Sequence, residues 1–366
     1  MNNLLTYIIV ILTTISYSFA QNNLLTLKNG QKIFASGMNL AWIEFGKDLT
    51  HFEETRYAHA LDEISVAGGN TIRWWLHVNG SHSPTFTDGK VSGLNPEEIP
   101  NLEKALNLAR ARSIVIVMVL WSFDMLKEQE GVNIENNLSL IEKPECTQAY
   151  IDNALIPMVH TLKDHPAILC LEICNEPEGM SHKHGWTDVR TTRKYIQQFH
   201  NLIAGAIHRE APNVLVCTGS WNVQVVSDIG KFENWYSDKA LIAAGGDSLG
   251  TLDFYQIHYY PRWYDEDYSI FHHPASYWQL DKPILIGEFQ AKGLIDLGYG
   301  YKPKTTMTTE EAYIYAYQNG YAGCLAWTWT GHDGHGGVQD AEPGMRFLKK
   351  KYSSNIIINF EEKAEY

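Results

Sequence analysis

Apolar residues recur along the chain in two alternating patterns. Eight short runs, nearly all apolar or β-branched, occupy residues 33–42, 71–76, 114–121, 168–175, 214–218, 254–258, 284–288 and 323–327. Between them lie longer stretches with apolar residues three and four apart, such as 52–67, 102–111, 149–163, 193–210 and 309–318, which predict amphipathic helices. Runs without a polar alternation suit parallel strands covered on both faces. Eight strand–helix repeats over about 320 residues predict an α/β fold closed into a (β/α)8 barrel. A doubly wound open sheet is the alternative, but no G-x-G-x-x-G fingerprint follows the first run. No Pro-, Gly- or Ser-rich linker and no repeat divides the chain, so a single catalytic domain is expected over residues 21–352. The tail 353–366, with its NIIINF run, either packs as a terminal strand or hangs free.

The first twenty residues break the pattern. An apolar segment at 4–15 precedes Ser18-Phe19-Ala20, small at three and one residues before Gln21, which reads as a signal peptide over 1–20. It is too short for a membrane span of about 20 apolar residues. Its Met1-Asn2-Asn3 start supplies no Lys or Arg, and removal leaves the net charge of −13 unchanged. A secreted protein is expected, extracellular or, in a bacterium, periplasmic, with no membrane association after cleavage and a monomeric state.

Composition narrows the functional classes. With 45% hydrophobic and 19% charged residues the chain is not disordered, and the acidic balance argues against nucleic acid. The 11 Trp and 20 Tyr form an excess that serves either a large core or flat surfaces on which a ligand stacks. Cys146, Cys170, Cys174, Cys217 and Cys324 are too few and odd for a disulfide scaffold; most are expected as buried small hydrophobes. Asn79-Gly80-Ser81 and Asn137-Leu138-Ser139 match the glycosylation pattern.

In a (β/α)8 barrel the chemistry sits where the strands end. The closing residues here are Asn39 to Trp42, Arg73 to His77, Trp121, Asn175-Glu176, Ser220 to Asn222, His258 to Tyr260, Glu288 and Trp327, a polar, ionisable and aromatic set. Glu176 and Glu288 end the fourth and seventh runs, which face each other across a closed barrel. Paired carboxylates are what glycoside hydrolysis needs, one protonating the leaving oxygen while the other attacks or activates water. Alone, either Glu reads more readily as a helix N-cap or rim charge; Asn175 before Glu176 and the apolar approach to Glu288 weigh against that reading.

Asn175-Glu176-Pro177, Ile286-Gly287-Glu288-Phe289, Arg73 and His258-Tyr259-Tyr260 together resemble glycoside hydrolase family 5, in the clan of retaining (β/α)8 enzymes. The resemblance runs from about Leu27 to Tyr352. Gly37-Met38-Asn39-Leu40-Ala41-Trp42, His77-Val78-Asn79-Gly80, Asn175-Glu176-Pro177-Glu178-Gly179 and Gly219-Ser220-Trp221-Asn222 resemble the endo-β-1,4-mannanases of molluscs and some bacteria. This resemblance implies a β-linked polysaccharide substrate, no cofactor, Glu176 as general acid/base and Glu288 as nucleophile. It implies Arg73 and Tyr260 beside Glu288, Asn175 on the sugar hydroxyl next to the reacting carbon, His258 orienting the network, and Trp327 as the platform under the cleaved sugar. Trp42, Trp121, Trp221 and the run Tyr259 to Tyr264 are expected to wall the cleft, with Glu44, Glu178, Trp186 and Asp333 as further contacts.

Glu172, four residues before Glu176 on the same strand face, is expected as a structural partner of Arg73. Trp74 and Trp75 point to opposite faces, so one belongs to the core. The His332, Asp333 and His335 loop reads as a solvated rim rather than a metal site. Gln290-Ala291-Lys292-Gly293 and Leu120-Trp121-Ser122-Phe123-Asp124 depart from the family pattern, which leaves mannan against glucan open. A carbohydrate-binding pseudoenzyme is the rival from outside enzymology.

Overall fold

A computed structural model describes residues 23–261, 269–294 and 306–361. The expected signal peptide and the Arg262-Trp263-Tyr264 part of the aromatic run lie outside the described residues. Eight parallel strands close into a barrel: β1 Ala35–Asn39, β2 Thr71–Val78, β3 Val115–Ser122, β4 Ile168–Asn175, β5 Leu215–Ser220, β6 Tyr255–Tyr259, β7 Ile284–Gln290 and β8 Gly323–Trp327. The order around the ring follows the chain, β8 pairing with β1. The fold is therefore the expected one.

Helices α1 (Glu54–Val66), α2 (Glu98–Arg110), α3 (Ile134–Glu142), α4 (Pro144–Tyr150), α5 (Ile156–Leu162), α6 (Arg193–Glu210), α7 (Asp238–Gly245), α8 (Thr309–Gln318) and α9 (Val338–Lys351) surround the ring. The stretch 149–163 is not one helix: a π turn at Ile151–Leu155 separates α4 from α5. Thr192 and Thr308 cap α6 and α8 by accepting main-chain N–H bonds, the latter in a full capping box with Glu311.

Apolar packing falls into three bodies. The largest lies between strands and helices and takes alternate strand residues, among them Ile116, Met118, Leu120 and Ile173. A second, with Val115, Val117, Leu169, Phe254, Leu285 and Leu325, fills the barrel floor over the N-terminal hairpin residues Leu25, Leu27 and Ile33. A third, Ala41, Trp75, Val78 and Val119 with Trp42 and Trp327 against it, lines the mouth. Of the tail, the described residues 353–361 are neither a strand nor free: Ser353–Ile356 forms a helical turn. The Asn355 carbonyl accepts the Phe34 N–H and the Ile356 carbonyl the Asn70 amide, while Ile358 joins the floor.

All five cysteines are free and buried. Both glycosylation patterns are closed off: Asn79 and Asn137 are buried, and each donates its side-chain amide inside the protein, to Gln129 and to the Asn79 and Met125 carbonyls. Among the described residues no helix is long and apolar enough to cross a membrane.

Candidate active site

Strand ends at the mouth deviate from regular geometry, and the deviations aim the carboxylates. β4 shifts register against β5 between Glu172 and Asn175. Glu176 then turns into the left-handed region at φ 44°, its N–H donating to the Gly219 carbonyl at 2.6 Å. β7 shifts register against β8 between Ile286 and Phe289, and β6 shifts against β7 between Ile257 and His258, which sets His258 beside Glu288. Such irregularities re-aim a side chain that regular pleating would send elsewhere.

Arg73 organises the interior. Its Nε and Nη2 donate to Glu172 at 2.7 and 2.5 Å, Nη2 also to Asn175 at 2.8 Å, and Nη1 to Glu288 at 2.7 Å and Asn39 at 3.0 Å. All five N–H donors of the guanidinium are thus used, as a fully buried cation requires. Gln256 donates to Glu172 at 2.7 Å and Asn39 to the Gly287 carbonyl at 2.9 Å, completing the layer. Gly219 makes room: a Cβ there would meet Glu172 Oε1 at 2.3 Å. Burial opposes the Arg73 charge, but Glu172 and Glu288 outweigh it and hold the guanidinium ionised. Glu172 lies wholly inside this network, so the structural role expected for it agrees with its position.

Above that layer the two strand-end carboxylates converge. Oxygens of Glu176 and Glu288 and a ring nitrogen of His258 all lie within 4.8 Å of one another. His258 Nδ1 stands 2.9 Å from Glu176 and 3.5 Å from Glu288, and Tyr260 donates to Glu288 at 2.7 Å. The two acids differ in their surroundings. Burial pushes Glu176 up to about 7; Arg73 opposes this, while Asp124 and Glu172 add to it. Burial also raises Glu288, against which His258, Arg73 and the Tyr260 hydrogen bond pull back. Among the described residues Glu288 therefore has a direct cation and a phenol donor, whereas Glu176 has His258. Burial lowers His258 to about 4, while the charges of Glu288 and Glu172 pull the other way.

Aromatic residues divide between site and core. Trp42, Trp75 and Trp327 form a packed trio, edge-on at both Trp42 contacts and tilted between Trp75 and Trp327, with centroids 5.1 Å apart for Trp42–Trp75 and 5.8 Å for both contacts to Trp327. Asp333 accepts a hydrogen bond from the Trp327 indole, and a cavity of about 830 Å³ opens beyond Trp42 and Trp327 toward Arg56, Glu63 and Trp329. Opposite, at the ends of β4 and β5, Trp221 is half-buried and packs edge-on at 5.7 Å against Trp186, which is 38% exposed. Trp121 is a correction: it is fully buried between His77 and Tyr150, because its position on β3 directs it to the helical layer rather than to the cleft. Glu178 is also buried, accepting from Tyr236 and the Trp221 N–H, so it is not a contact for substrate. Glu44 lies at the rim, 3.9 Å from Arg56. Trp74 is core, its indole donating to Asp48.

Two residues that were assigned no role in the site from the sequence belong to it. Trp75 stacks over Arg73 at 5.4 Å, and the signal was its place two residues after Arg73 on the same strand face. Asp124, buried and bonded by the Ser122 hydroxyl at 2.6 Å, adds charge near Glu176. It stands in a turn after β3 that no strand pattern marks.

Comparisons agree with this geometry. Residues 27–333 match the model of the cellulase family, glycosyl hydrolase family 5. A mannan endo-1,4-beta-mannosidase of Mytilus edulis is 34% identical over 330 residues, covering 83% of this chain and 85% of its own. The enzyme of the same description from Cryptopygus antarcticus is 32% identical, with 87% of each chain covered. Among solved structures, an endo-1,4-beta-mannanase of Eisenia fetida superposes with a TM-score of 0.79 at 30% identity, over 92% of this chain and 98% of that one.

Proposed function

This chain belongs to glycosyl hydrolase family 5 and is a glycosidase, and from that premise we propose that it cleaves internal β-1,4-mannosidic bonds by a retaining double displacement. Glu288 attacks the anomeric carbon while Glu176 protonates the departing glycosidic oxygen, giving a glycosyl ester. Glu176, now a carboxylate, then takes a proton from water as that water attacks the same carbon and frees Glu288. The observation that carries the reading is the carboxylate pair, with oxygens within 4.8 Å of each other, near the roughly 5 Å of retaining enzymes and short of the spacing that leaves room for a water between them. The unequal surroundings support the division of roles: an acid must hold its proton near neutral pH, and a nucleophile must be ionised.

In this reading Asn175, fixed by Arg73, meets the hydroxyl beside the reacting carbon. Trp327 and Trp42 carry the sugars on one side, Trp221 on the other. The substrate follows from relatives named as mannan endo-1,4-beta-mannosidases at 34 and 32% identity. Export as a monomer goes with the same proposal, export being supported by the apolar segment at 4–15.

Initial rates on linear mannan, glucomannan and carboxymethylcellulose are expected to rank mannan first; turnover confined to the cellulose derivative would replace the mannanase by a glucanase. Proton NMR of the first product is expected to show the β anomer, and an α anomer would mean inversion. Full activity of Glu288→Ala would remove the assignment altogether.

A further inference from the structure

Glu178 is a buried carboxylate for which substrate chemistry has no use. It is 0% exposed and lies two residues beyond Glu176. Its Oε1 accepts the Tyr236 hydroxyl at 2.5 Å and its Oε2 the main-chain N–H of Trp221 at 3.2 Å. Among the described residues no Lys or Arg pairs with it, so two neutral donors hold an acid that burial pushes up to about 8. Burying a carboxyl group this way is costly, and an apolar residue of similar size would fill the space without that cost. Its position suggests what the arrangement holds.

Glu176 sits in a strained left-handed conformation, φ 44°, at the head of the turn Pro177–Met180. That turn is tied once to β5 and once to the residue that follows it. At its start the Glu176 N–H donates to the Gly219 carbonyl, and one residue pair further on Glu178 grips the Trp221 N–H. Tyr236, itself fully buried against His200, fixes the other oxygen of Glu178 from outside the barrel. The same turn seats the aromatic corner: a Cβ on Gly179 would lie 2.6 Å from the Trp186 indole, so that ring rests directly on the glycine. Trp186 meets Trp221 edge-on.

We infer that Glu178 is a positioning residue for the proton donor: its two hydrogen bonds clamp the turn that carries Glu176 to the β5 loop that carries Trp221, fixing the acid's direction relative to a sugar held on that loop. This inference rests on the reading of Glu176 as the acid/base. Glu178 touches no substrate and transfers no proton; loss of the clamp leaves Glu288, Arg73 and Tyr260 in place and lets Glu176 swing. The effect must therefore depend on how much protonation a leaving group needs.

The test compares β-1,4-mannotetraose, whose leaving sugar needs a proton, with 2,4-dinitrophenyl β-mannobioside, whose phenolate leaves unaided. General acid catalysis contributes about 10²–10⁴-fold, so a misdirected acid should lower kcat/KM of Glu178→Met, which fills the space but makes neither bond, on the tetraose by roughly 30-fold or more. On the aryl substrate the loss should stay below about 3-fold. Tyr236→Phe, which removes one of the two donors and keeps the ring, is expected to show the same selectivity at about 5-fold, and it keeps the test decisive if Glu178→Met does not fold. Equal losses on both substrates, or none on either, would overturn the clamp. Wild-type turnover of cellotetraose and not of mannotetraose would defeat the mannan reading alone, and the same pair of leaving groups on cello-substrates would then decide the clamp. Wild-type inactivity on both tetraoses would defeat the acid/base reading and the clamp with it.

Discussion

The floor and the mouth of the barrel are built from opposite ends of the same eight strands, and they follow opposite rules. At the floor, Val115, Val117, Leu169, Leu285 and Leu325 point inward over the N-terminal hairpin and are capped by Ile358. That cluster is apolar, and another apolar residue of similar volume would serve at each place. Four residues along β4 from Cys170 the chain reaches Cys174, and the interior has meanwhile changed to Glu172, Arg73, Asn175 and the carboxylate pair. Two of the five non-glycine residues with positive φ among those described, Val78 and Glu176, lie at this mouth; for Val the left-handed region is especially unfavourable. The mouth holds strain and half-compensated charge that the floor avoids, which is the pattern expected where geometry serves a reaction rather than stability.

That contrast gives the predictions. The largest effect belongs to the carboxylates: Glu288→Ala should lose about 10⁴-fold or more in kcat and Glu176→Ala about 10²–10⁴-fold on mannan, with azide restoring part of each, while thermal unfolding stays near that of the wild type. A large drop in Tm would show that the mouth is also a structural keystone.

Arg73 is where the two rules meet, and Arg73→Met should fail in both respects. It leaves Glu172 buried and unpaired, a cost of about 3–5 kcal/mol, and removes the cation beside Glu288. Arg73→Lys cannot reproduce the forked contacts and should remain folded with kcat lowered about 10²-fold. Chemical denaturation measured beside turnover separates these outcomes.

At the floor, Leu285→Ala should cost about 2–5 kcal/mol in the same denaturation experiment, yet leave kcat within a factor of two well below the melting temperature. A comparable loss of activity in the folded variant would mean that the floor is coupled to the mouth.

The smallest effect concerns pH. On the proposed mechanism protonated Glu176 is the active form in the first step, so activity should fall as pH rises through about 7. Asp124 raises Glu176 and Lys127 lowers it. Asp124→Asn should therefore move the alkaline limb of kcat/KM to lower pH, and Lys127→Met to higher pH, each by less than about one unit. Shifts of the same sign in both variants would rule out a charge effect.

Much of the fold was readable from periodicity, because parallel strands covered on both faces leave uninterrupted apolar runs such as 168–175 and 284–288. Some helices were not. α9 holds Pro343 and Gly344, and α3 and α7 are short, of 9 and 8 residues, too few turns for a clear period. The 149–163 stretch kept its apolar spacing, but a π turn adds a residue per turn inside it, which composition does not announce. Glu176, Glu288, Arg73 and His258 were legible because they interrupt apolar runs at strand ends. Trp121 misled for the same reason: it closes a run as Trp327 does, and only the direction of its side chain separates a ring buried against Tyr150 from one facing the cavity.

The sequence by itself determined the alternation of elements, the strand-end residues and the pair of acids, since these depend on local spacing. Which acid has a direct cation, which tryptophans line the cavity and which groups bond Glu178 depended on distances between β2, β4, β5 and β7. Electrostatics and packing act through space over a few ångströms, while those residues stand as many as 215 positions apart, as Arg73 and Glu288 do.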